Sequence, residues 1–159
     1  MKRIFIYVCI AMFFVSFYSL SLGETGFKYN IDLSWQKMTS GSSDVYTYGK
    51  GQYLRFIISQ LNPNGDDALK WARDELNAIV SKSNGEALSE PKEVVLGKHA
   101  WIEIRSYQEA KGMKFLFIQW YLQNGPNLVE ATLAGPQDEV NANENEIQTV
   151  LANVELLQR

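Results

Sequence analysis

The sequence has very few of the residues on which small disulfide-bonded proteins and many enzymes depend. Its 159 residues include one cysteine, Cys9, and one histidine, His99. A single cysteine forms no disulfide within the chain, and one histidine provides too few soft ligands for a zinc site. No nucleophile motif and no close pair of carboxylates is present either. The sequence therefore predicts no catalytic residue, no cofactor and no metal site.

The sequence also lacks an excess of positive charge. It contains 15 lysine and arginine residues against 18 aspartate and glutamate residues, which gives a net charge of −3. Nucleic acids and anionic membrane surfaces both require basic patches on the proteins that bind them. We therefore expect no nucleic-acid partner, and contact with a membrane only through an N-terminal leader that is not cleaved.

The first 23 residues show the pattern of a secretory signal peptide. Lys2 and Arg3 precede a run without charge from Ile4 to Leu22, which becomes more polar towards its end. A basic start, an apolar middle and small residues at the end are typical of leaders that direct export. The alternative is an uncleaved membrane anchor, because the run nearly reaches the ~20 residues that span a bilayer.

Export sets the expected boundaries of the folded protein. Small residues favour a cut between Gly23 and Glu24, with a cut after Ser21 as the second choice. We expect residues 1–23 to form the signal peptide and residues 24–159 to form one domain, periplasmic or secreted after cleavage. Cys9 would leave with the leader, so an ordinary apolar core must stabilise the domain.

The pattern of apolar residues in the remaining chain predicts an α+β domain. Strand-like alternation and helical spacing recur without internal repeats or long linkers. Strands are predicted over 27–33, 45–48, 53–61, 94–96, 100–107, 113–122, 128–134 and, as a short edge strand, 154–157; helices are predicted over 66–82 and 138–153.

The predicted strand from Met113 to Leu122 is apolar on both faces, since aromatic residues alternate with aliphatic residues and Trp120. A strand of this kind must be covered on both sides. We therefore expect a mostly antiparallel six- or seven-stranded sheet flanked by helices, in a three-layer sandwich.

This order of elements resembles the Mog1/PsbP-like fold, including the bacterial DcrB-type (DUF1795-like) domains. Trp35 follows the first predicted strand, and Trp71 lies inside the first predicted helix. Gly97 leads into the strand that carries Trp101, and a long hairpin runs from there to Ala134. The resemblance extends over nearly all of the chain after the leader.

The resemblance implies a non-catalytic domain that binds other proteins or assists a complex, although a fold alone does not fix a function. One departure is Ser34, because the family tends to carry proline before the early tryptophan. We expect a secreted accessory protein, such as an immunity or complex-assisting protein, with another protein of the cell envelope as its partner. The alternative is a carrier of a small apolar ligand or a lipid.

Two groups of residues are candidates for binding that partner. Trp101, Glu103, Arg105 and Tyr107 share one face of a predicted strand, either as an exposed patch or packed under a helix with the two charges paired at its margin. Tyrosines surround the predicted turn at residues 49–51, either as anchors for a partner or as cross-strand pairs that stabilise a hairpin. These are Tyr46, Tyr48 and Tyr53.

The remaining polar motifs have structural interpretations. We expect a structural position for His99. Asn62, Asn64 and Asp66 superficially resemble a calcium loop, but they lack its glycine and its final glutamate, and a helix-capping turn explains them. Several glutamates are interpreted as a solvated face: Glu75, Glu86, Glu90 and Glu93.

Overall fold

The computed structural model describes residues 26–38, 45–82, 85–110 and 112–157. The predicted signal peptide and its cut between Gly23 and Glu24 lie outside these residues. Among the residues described, no helix is long and apolar enough to cross a membrane.

The described chain contains ten strands and two helices. The strands are β1 (Phe27–Lys28), β2 (Gln36–Met38), β3 (Val45–Lys50), β4 (Leu54–Leu61), β5 (Glu86–Ala87), β6 (Lys92–Leu96), β7 (His99–Ala110), β8 (Met113–Asn124), β9 (Asn127–Pro136) and β10 (Glu155–Leu156). The helices are α1 (Ala68–Lys82), between β4 and β5, and α2 (Gln137–Ala152), between β9 and β10.

Eight of these strands form one sheet in the order β2-β3-β4-β9-β8-β7-β5, with β6 paired beside β5 along the outer edge of β7. Every pairing is antiparallel. β1 and β10 form a separate two-stranded ribbon. The α+β class and the mostly antiparallel sheet are confirmed; the sheet has eight strands because the short β2 and β5 extend its edges.

The sheet has a separate core on each face. α2 covers the face that carries Leu116, Ile118 and Trp120 of β8, and α1 covers the opposite face at Tyr121 of β8 and Ile104 of β7. Successive residues of a strand point to opposite faces, so β8 supplies both cores. Its predicted central position in a three-layer structure is confirmed.

Local sequence explains where the helices begin and which faces they bury. The Asp67 carboxylate accepts the backbone N–H of Lys70 (2.8 Å) and caps α1, as the predicted capping turn requires. Helical spacing then places apolar residues on the inner faces: Ala68, Ala72, Leu76 and Ile79 in α1, and Val140, Ile147, Val150 and Leu151 in α2. By contrast, Leu69 and Val80 of α1 are exposed.

The predicted first strand is shorter than expected. β1 ends at Lys28, and the Asp32 carboxylate then accepts the Ser34 N–H (2.8 Å) in a turn. The turn directs Trp35 into the core and leaves Leu33 fully exposed. Local hydrogen bonding therefore overrides the alternating pattern in this segment. The predicted short edge strand at the C-terminus is confirmed, since β10 pairs with β1.

We expect one glycine to control how α2 meets the sheet. Gly97, between β6 and β7, has a φ of +60°, and a Cβ there would collide with the backbone carbonyl of Ala152 at the end of α2. Gly125, between β8 and β9, has nearly the same φ (+59°) but open space around it. An added Cβ would therefore strain the backbone equally at both positions but would collide with α2 only at Gly97.

Gly97→Ala should lower the free energy of unfolding by about 3 kcal/mol, from strain plus overpacking, and Gly125→Ala by about 1 kcal/mol. Urea unfolding followed by circular dichroism measures both values. Equal losses in the two variants would show that the contact with α2 contributes nothing.

Candidate functional site

The four candidate residues on β7 do not form an exposed patch. Trp101 is completely buried, and the side chain of Glu103 is 1% exposed. Arg105 and Tyr107 are half-buried, and the Lys114 ammonium lies 3.9 Å from the centre of the Tyr107 ring. The reason is that this face of β7 belongs to the core beneath α2.

Glu103 is the centre of a buried ionic network. Its carboxylate accepts hydrogen bonds from Arg105 Nε (2.6 Å) and Trp120 Nε1 (3.0 Å), and it pairs with Lys92 Nζ (3.1 Å). Arg105 also holds both carboxylate oxygens of Glu144 on α2, at 2.5 and 3.2 Å. The network therefore connects β6, β7 and β8 to α2.

The ionic network keeps Glu103 charged in spite of its burial. Burial alone would raise the pKa of the carboxyl, but hydrogen bonds and charge from Arg105 and Lys92 outweigh burial and lower that pKa. The pKa of Arg105 is raised by the two carboxylates against the same opposing effect of burial. These charges stabilise the packing of α2 on the sheet.

The candidate tyrosines separate into two places. Tyr46 and Tyr48 meet Tyr29, whose hydroxyl hydrogen-bonds to that of Tyr48 (2.8 Å) and whose ring centre lies 5.9 Å from that of Tyr46. Tyr53 lies apart from them, against Phe115 (6.3 Å between ring centres). Tyr29 was not among the candidates, because nothing in the sequence indicates that β1 folds back beside β3.

The segment that links β1 to β2 carries two further apolar side chains, Ile31 and Leu33. We define the loop surface as Tyr29, Ile31, Leu33 and Tyr46. Three of its residues are half-buried and pack against the core, while Leu33 is 99% exposed. The Lys37 ammonium lies 5.2 Å from the centre of the Tyr46 ring and adds positive charge at the rim.

The loop surface is firmly attached to the body of the domain. Trp35, two residues after Leu33, is buried and donates its indole N–H to Glu146 of α2 (2.8 Å). The other oxygen of that carboxylate pairs with Lys50 (2.8 Å), whose ammonium also lies 5.4 Å from the centre of the Trp35 indole. Leu33 is therefore exposed on a segment that is anchored to α2 two residues further along the chain.

A second buried glutamate lies on the opposite face of the sheet. We define the sheet-centre cluster as Ser59, Gln119, Tyr121, Glu130 and Thr132, from β4, β8 and β9. All five residues are buried. The Gln119 amide donates to the Tyr121 hydroxyl (3.0 Å), and Glu130 lies opposite Tyr121 and Ser59 in the strand register. The signal in the sequence was a charged residue within an otherwise apolar strand.

The sheet-centre cluster perturbs the ionisation of its acid. Burial and the charge of Glu75 raise the pKa of Glu130 to about 7, against the effect of hydrogen bonds from Gln119, Tyr121 and Ser59. Burial also raises the pKa of Glu75, which is half-buried on α1. The expectation that Glu75 belongs to a solvated face is therefore wrong, because α1 turns this residue towards the sheet.

Three polar atoms on this face of the sheet are buried without a hydrogen-bond partner: Ser106 Oγ, Gln119 Oε1 and Thr132 Oγ1. Gln119 and Thr132 lie opposite each other in the register of β8 and β9. Burying a polar group without a partner costs about 1–3 kcal/mol. This face of the sheet therefore carries a local energetic cost.

The other polar motifs have structural positions. His99 Nε2 lies 2.8 Å from the Val154 carbonyl oxygen and ties β7 to the segment before β10. Among the described residues, no group of three or more His, Cys, Asp or Glu side chains is placed to hold a metal ion. A cavity of about 420 Å³ near the start of α1 is lined by Asn62, Asn64, Gly65, Asp66, Asp67, Gln123, Gly125 and Pro126.

Comparison of the sequence with protein-family models gives no match, and comparison with curated proteins gives none either. Solved structures do match. The chain is similar to LpqN of Mycobacterium tuberculosis, a protein involved in cell envelope biogenesis, with a TM-score of 0.63 and 10% identity over 87% of each chain.

Two further solved structures show the same arrangement. The Ran-binding protein Mog1p of Saccharomyces cerevisiae matches with a TM-score of 0.58 and 9% identity, over 84% of this chain and 91% of that one. A protein of Bacteroides thetaiotaomicron matches with a TM-score of 0.61 and 16% identity over 84% of this chain, which spans only 46% of that protein. At such low identity the likeness establishes the fold alone.

We expect the ionic network to be worth far more than an exposed ion pair. Glu103→Gln should lower the free energy of unfolding by about 3 kcal/mol, because Arg105 and Lys92 lose a buried counter-charge. In the wild type this contribution is present above the ordinary pKa of glutamate and is lost as the pH falls through the lowered pKa of Glu103. Urea unfolding at neutral and acid pH measures both effects.

The matched control is Glu86→Gln. Glu86 pairs with Lys114 at 2.9 Å, but both side chains are more than half exposed, so a loss below about 0.5 kcal/mol is expected. A loss at Glu103 no larger than that at Glu86 would contradict a stabilising role for the network.

Proposed function

We propose that this chain, a domain of the Mog1/PsbP-like fold, is a non-catalytic accessory protein of the cell envelope that binds another protein through the loop surface. The fold is confirmed by the solved structures of LpqN and Mog1p and by a similar cyanobacterial PsbP from Synechocystis (TM-score 0.54). A place within the DcrB-type group and an immunity or complex-assisting role are finer parts of the same proposal.

The observation that carries the proposal is the exposure of Leu33. A leucine that is 99% exposed makes almost no apolar contact within its own domain. Covering it with a partner would contribute about 2 kcal/mol. Tyr29 and Tyr46, the two tyrosines of the loop surface, are half-buried, and tyrosines of this kind are enriched at the centres of protein interfaces.

Charge defines the kind of partner that fits. Lys28 and Lys37 are exposed at the two ends of the segment that carries the loop surface, although the chain as a whole is acidic. A partner with an apolar side chain flanked by acidic residues matches this arrangement. The expected export and the envelope role of LpqN support an envelope partner, and Mog1p supports a protein as the ligand.

The carrier alternative has less support among the described residues. Five of the eight residues that line the cavity of about 420 Å³ near the start of α1 carry amide or carboxylate side chains. Sites for lipids and other apolar ligands are lined mainly by apolar side chains. We therefore propose the protein-binding role and leave the carrier role as an outcome of the test.

The test compares two exposed apolar residues. Leu33→Ser removes the exposed leucine of the loop surface, whereas Val95→Ser changes a 71% exposed residue on β6. Wild type and both variants are immobilised as mature domains, and proteins captured from envelope extracts are quantified by mass spectrometry. Circular dichroism checks that all three remain folded.

We expect one protein to be captured in equal amounts by the wild type and by Val95→Ser, and at least about tenfold less by Leu33→Ser. Equal capture by both variants would contradict the loop surface as the binding site. A co-purified lipid or apolar small molecule in place of a protein would favour the carrier.

A further inference from the structure

The sheet-centre cluster shares one residue with the core beneath α1. Tyr121 belongs both to this cluster and to the core beneath α1, where it packs with Ile104, Leu76 and Ile79. Glu130, 7% exposed, is the register neighbour of Tyr121 on β9. A change in the charge of Glu130 therefore acts next to the tyrosine against which Leu76 and Ile79 of α1 pack.

α1 itself contributes a second carboxyl at this place. Glu75 lies between Ala72 and Leu76 in sequence, next to the stripe that packs on the sheet, and it is half-buried. The negative charge of Glu75 acts on both Glu130 and Tyr121. Ionisation of Glu130 is therefore disfavoured both by its own burial and by the like charge of Glu75.

The other charged groups around Glu130 do not neutralise it. Lys82, in the last turn of α1, acts on Glu75. On β4, Arg55 donates to the backbone oxygens of Leu54 and Gln52. The side chains that hydrogen-bond to Glu130 are Ser59, Gln119 and Tyr121, and none of these is a cation. Glu103 on the other face has two such cations, Arg105 and Lys92.

We propose that Glu130 and Glu75 form a proton-sensitive latch that controls how firmly α1 is held on the sheet. With Glu130 protonated, the helix packs on a neutral surface. When both carboxyls are ionised, repulsion and the cost of a buried charge weaken the contact between α1 and the sheet. Three unpartnered buried polar atoms lie on this face of the sheet, against one, Trp101 Nε1, on the opposite face.

The direction of the pH effect follows from linkage. The pKa of Glu130 in the folded protein, about 7, is higher than its ordinary value of 4.5. Between these pH values the folded state binds more protons than the unfolded state, so the stability falls as the pH rises. A shift of this size corresponds to a roughly 100-fold increase in the unfolding equilibrium constant between pH 5 and pH 8.

The experiment follows α1 through its own tryptophan. Trp71 lies on α1, half-buried against the core beneath it, and the tryptophans at positions 35, 101 and 120 belong to the opposite core. Acrylamide quenching is measured from pH 5 to pH 8.5 for wild type, Glu130→Gln and Glu75→Gln. The same measurement on Trp71→Phe is subtracted, and Glu93→Gln, a change at an exposed glutamate, is the control.

The expected result is that quenching of Trp71 increases with pH around a midpoint near 7 in the wild type and in Glu93→Gln. In Glu130→Gln it should stay at its low-pH value, because the amide mimics the protonated acid. Glu75→Gln should shift the midpoint to lower pH, and it keeps the test decisive if Glu130→Gln does not fold.

Two results would overturn the latch. One is quenching of wild-type Trp71 that does not change with pH. The other is a pH dependence that is the same in wild type, Glu130→Gln and Glu75→Gln, since the proton would then bind elsewhere. In the first case, a urea midpoint that still depends on pH would show that a carboxyl titrates without affecting the contact between α1 and the sheet.

Discussion

The double coverage of the sheet is the constraint on which the rest of the structure depends. With α2 on one face and α1 on the other, the central strands are covered on both sides, and a polar side chain there is costly unless it finds a partner within the domain. Glu103 and Glu130 are two such side chains on opposite faces. The two helix contacts differ chiefly in which side chains pair with these two acids.

On the α2 face the buried charge is fully compensated. Glu103 accepts hydrogen bonds from Arg105 and Trp120 and forms an ion pair with Lys92. Arg105 in turn forms an ion pair with Glu144 on the helix. On the same side, Glu146 joins α2 to Trp35 and Lys50. α2 is thus fixed by charge at two points, and the second point also orders the segment that presents Leu33.

On the α1 face the buried acid has no cation among the side chains that bind it. Glu130 lies among neutral donors, and Glu75 adds a like charge. The α1 contact therefore depends on protonation, whereas the α2 contact depends on ionisation. One sheet thus has a side whose ionic contacts hold the segment that carries Leu33 and a side on which we propose a contact that responds to pH.

The sequence was informative where periodicity decides the structure. The two apolar faces of β8 and the inner face of α2 could be predicted because side-chain direction follows from strand and helix geometry. The burial of Trp101 could not be predicted, because a mixed aromatic and charged face has the same sequence pattern whether it is exposed or lies beneath a helix.

The remaining features depend on contacts between distant parts of the chain. Tyr29 meets Tyr48 only because β1 pairs with β10 rather than continuing as a long strand. In the sequence, Glu75 resembles any solvated glutamate of a helix, because no local pattern indicates that its charge acts on Glu130. Neither contact produces a local pattern in the sequence. The predicted first strand is too long because the sequence does not show that a hydrogen-bonded turn at Asp32 replaces its second half.

The central claim is that one sheet holds two buried glutamates with opposite ionisation behaviour. The most direct measurement is a pH titration of the side-chain carboxyl carbons by nuclear magnetic resonance, with Glu103→Gln and Glu130→Gln used to assign the two signals. The structure predicts that Glu130 titrates near pH 7 and that Glu103 titrates below the ordinary range of glutamate. Titration of both carboxyls in the ordinary range, near pH 4, would contradict this account.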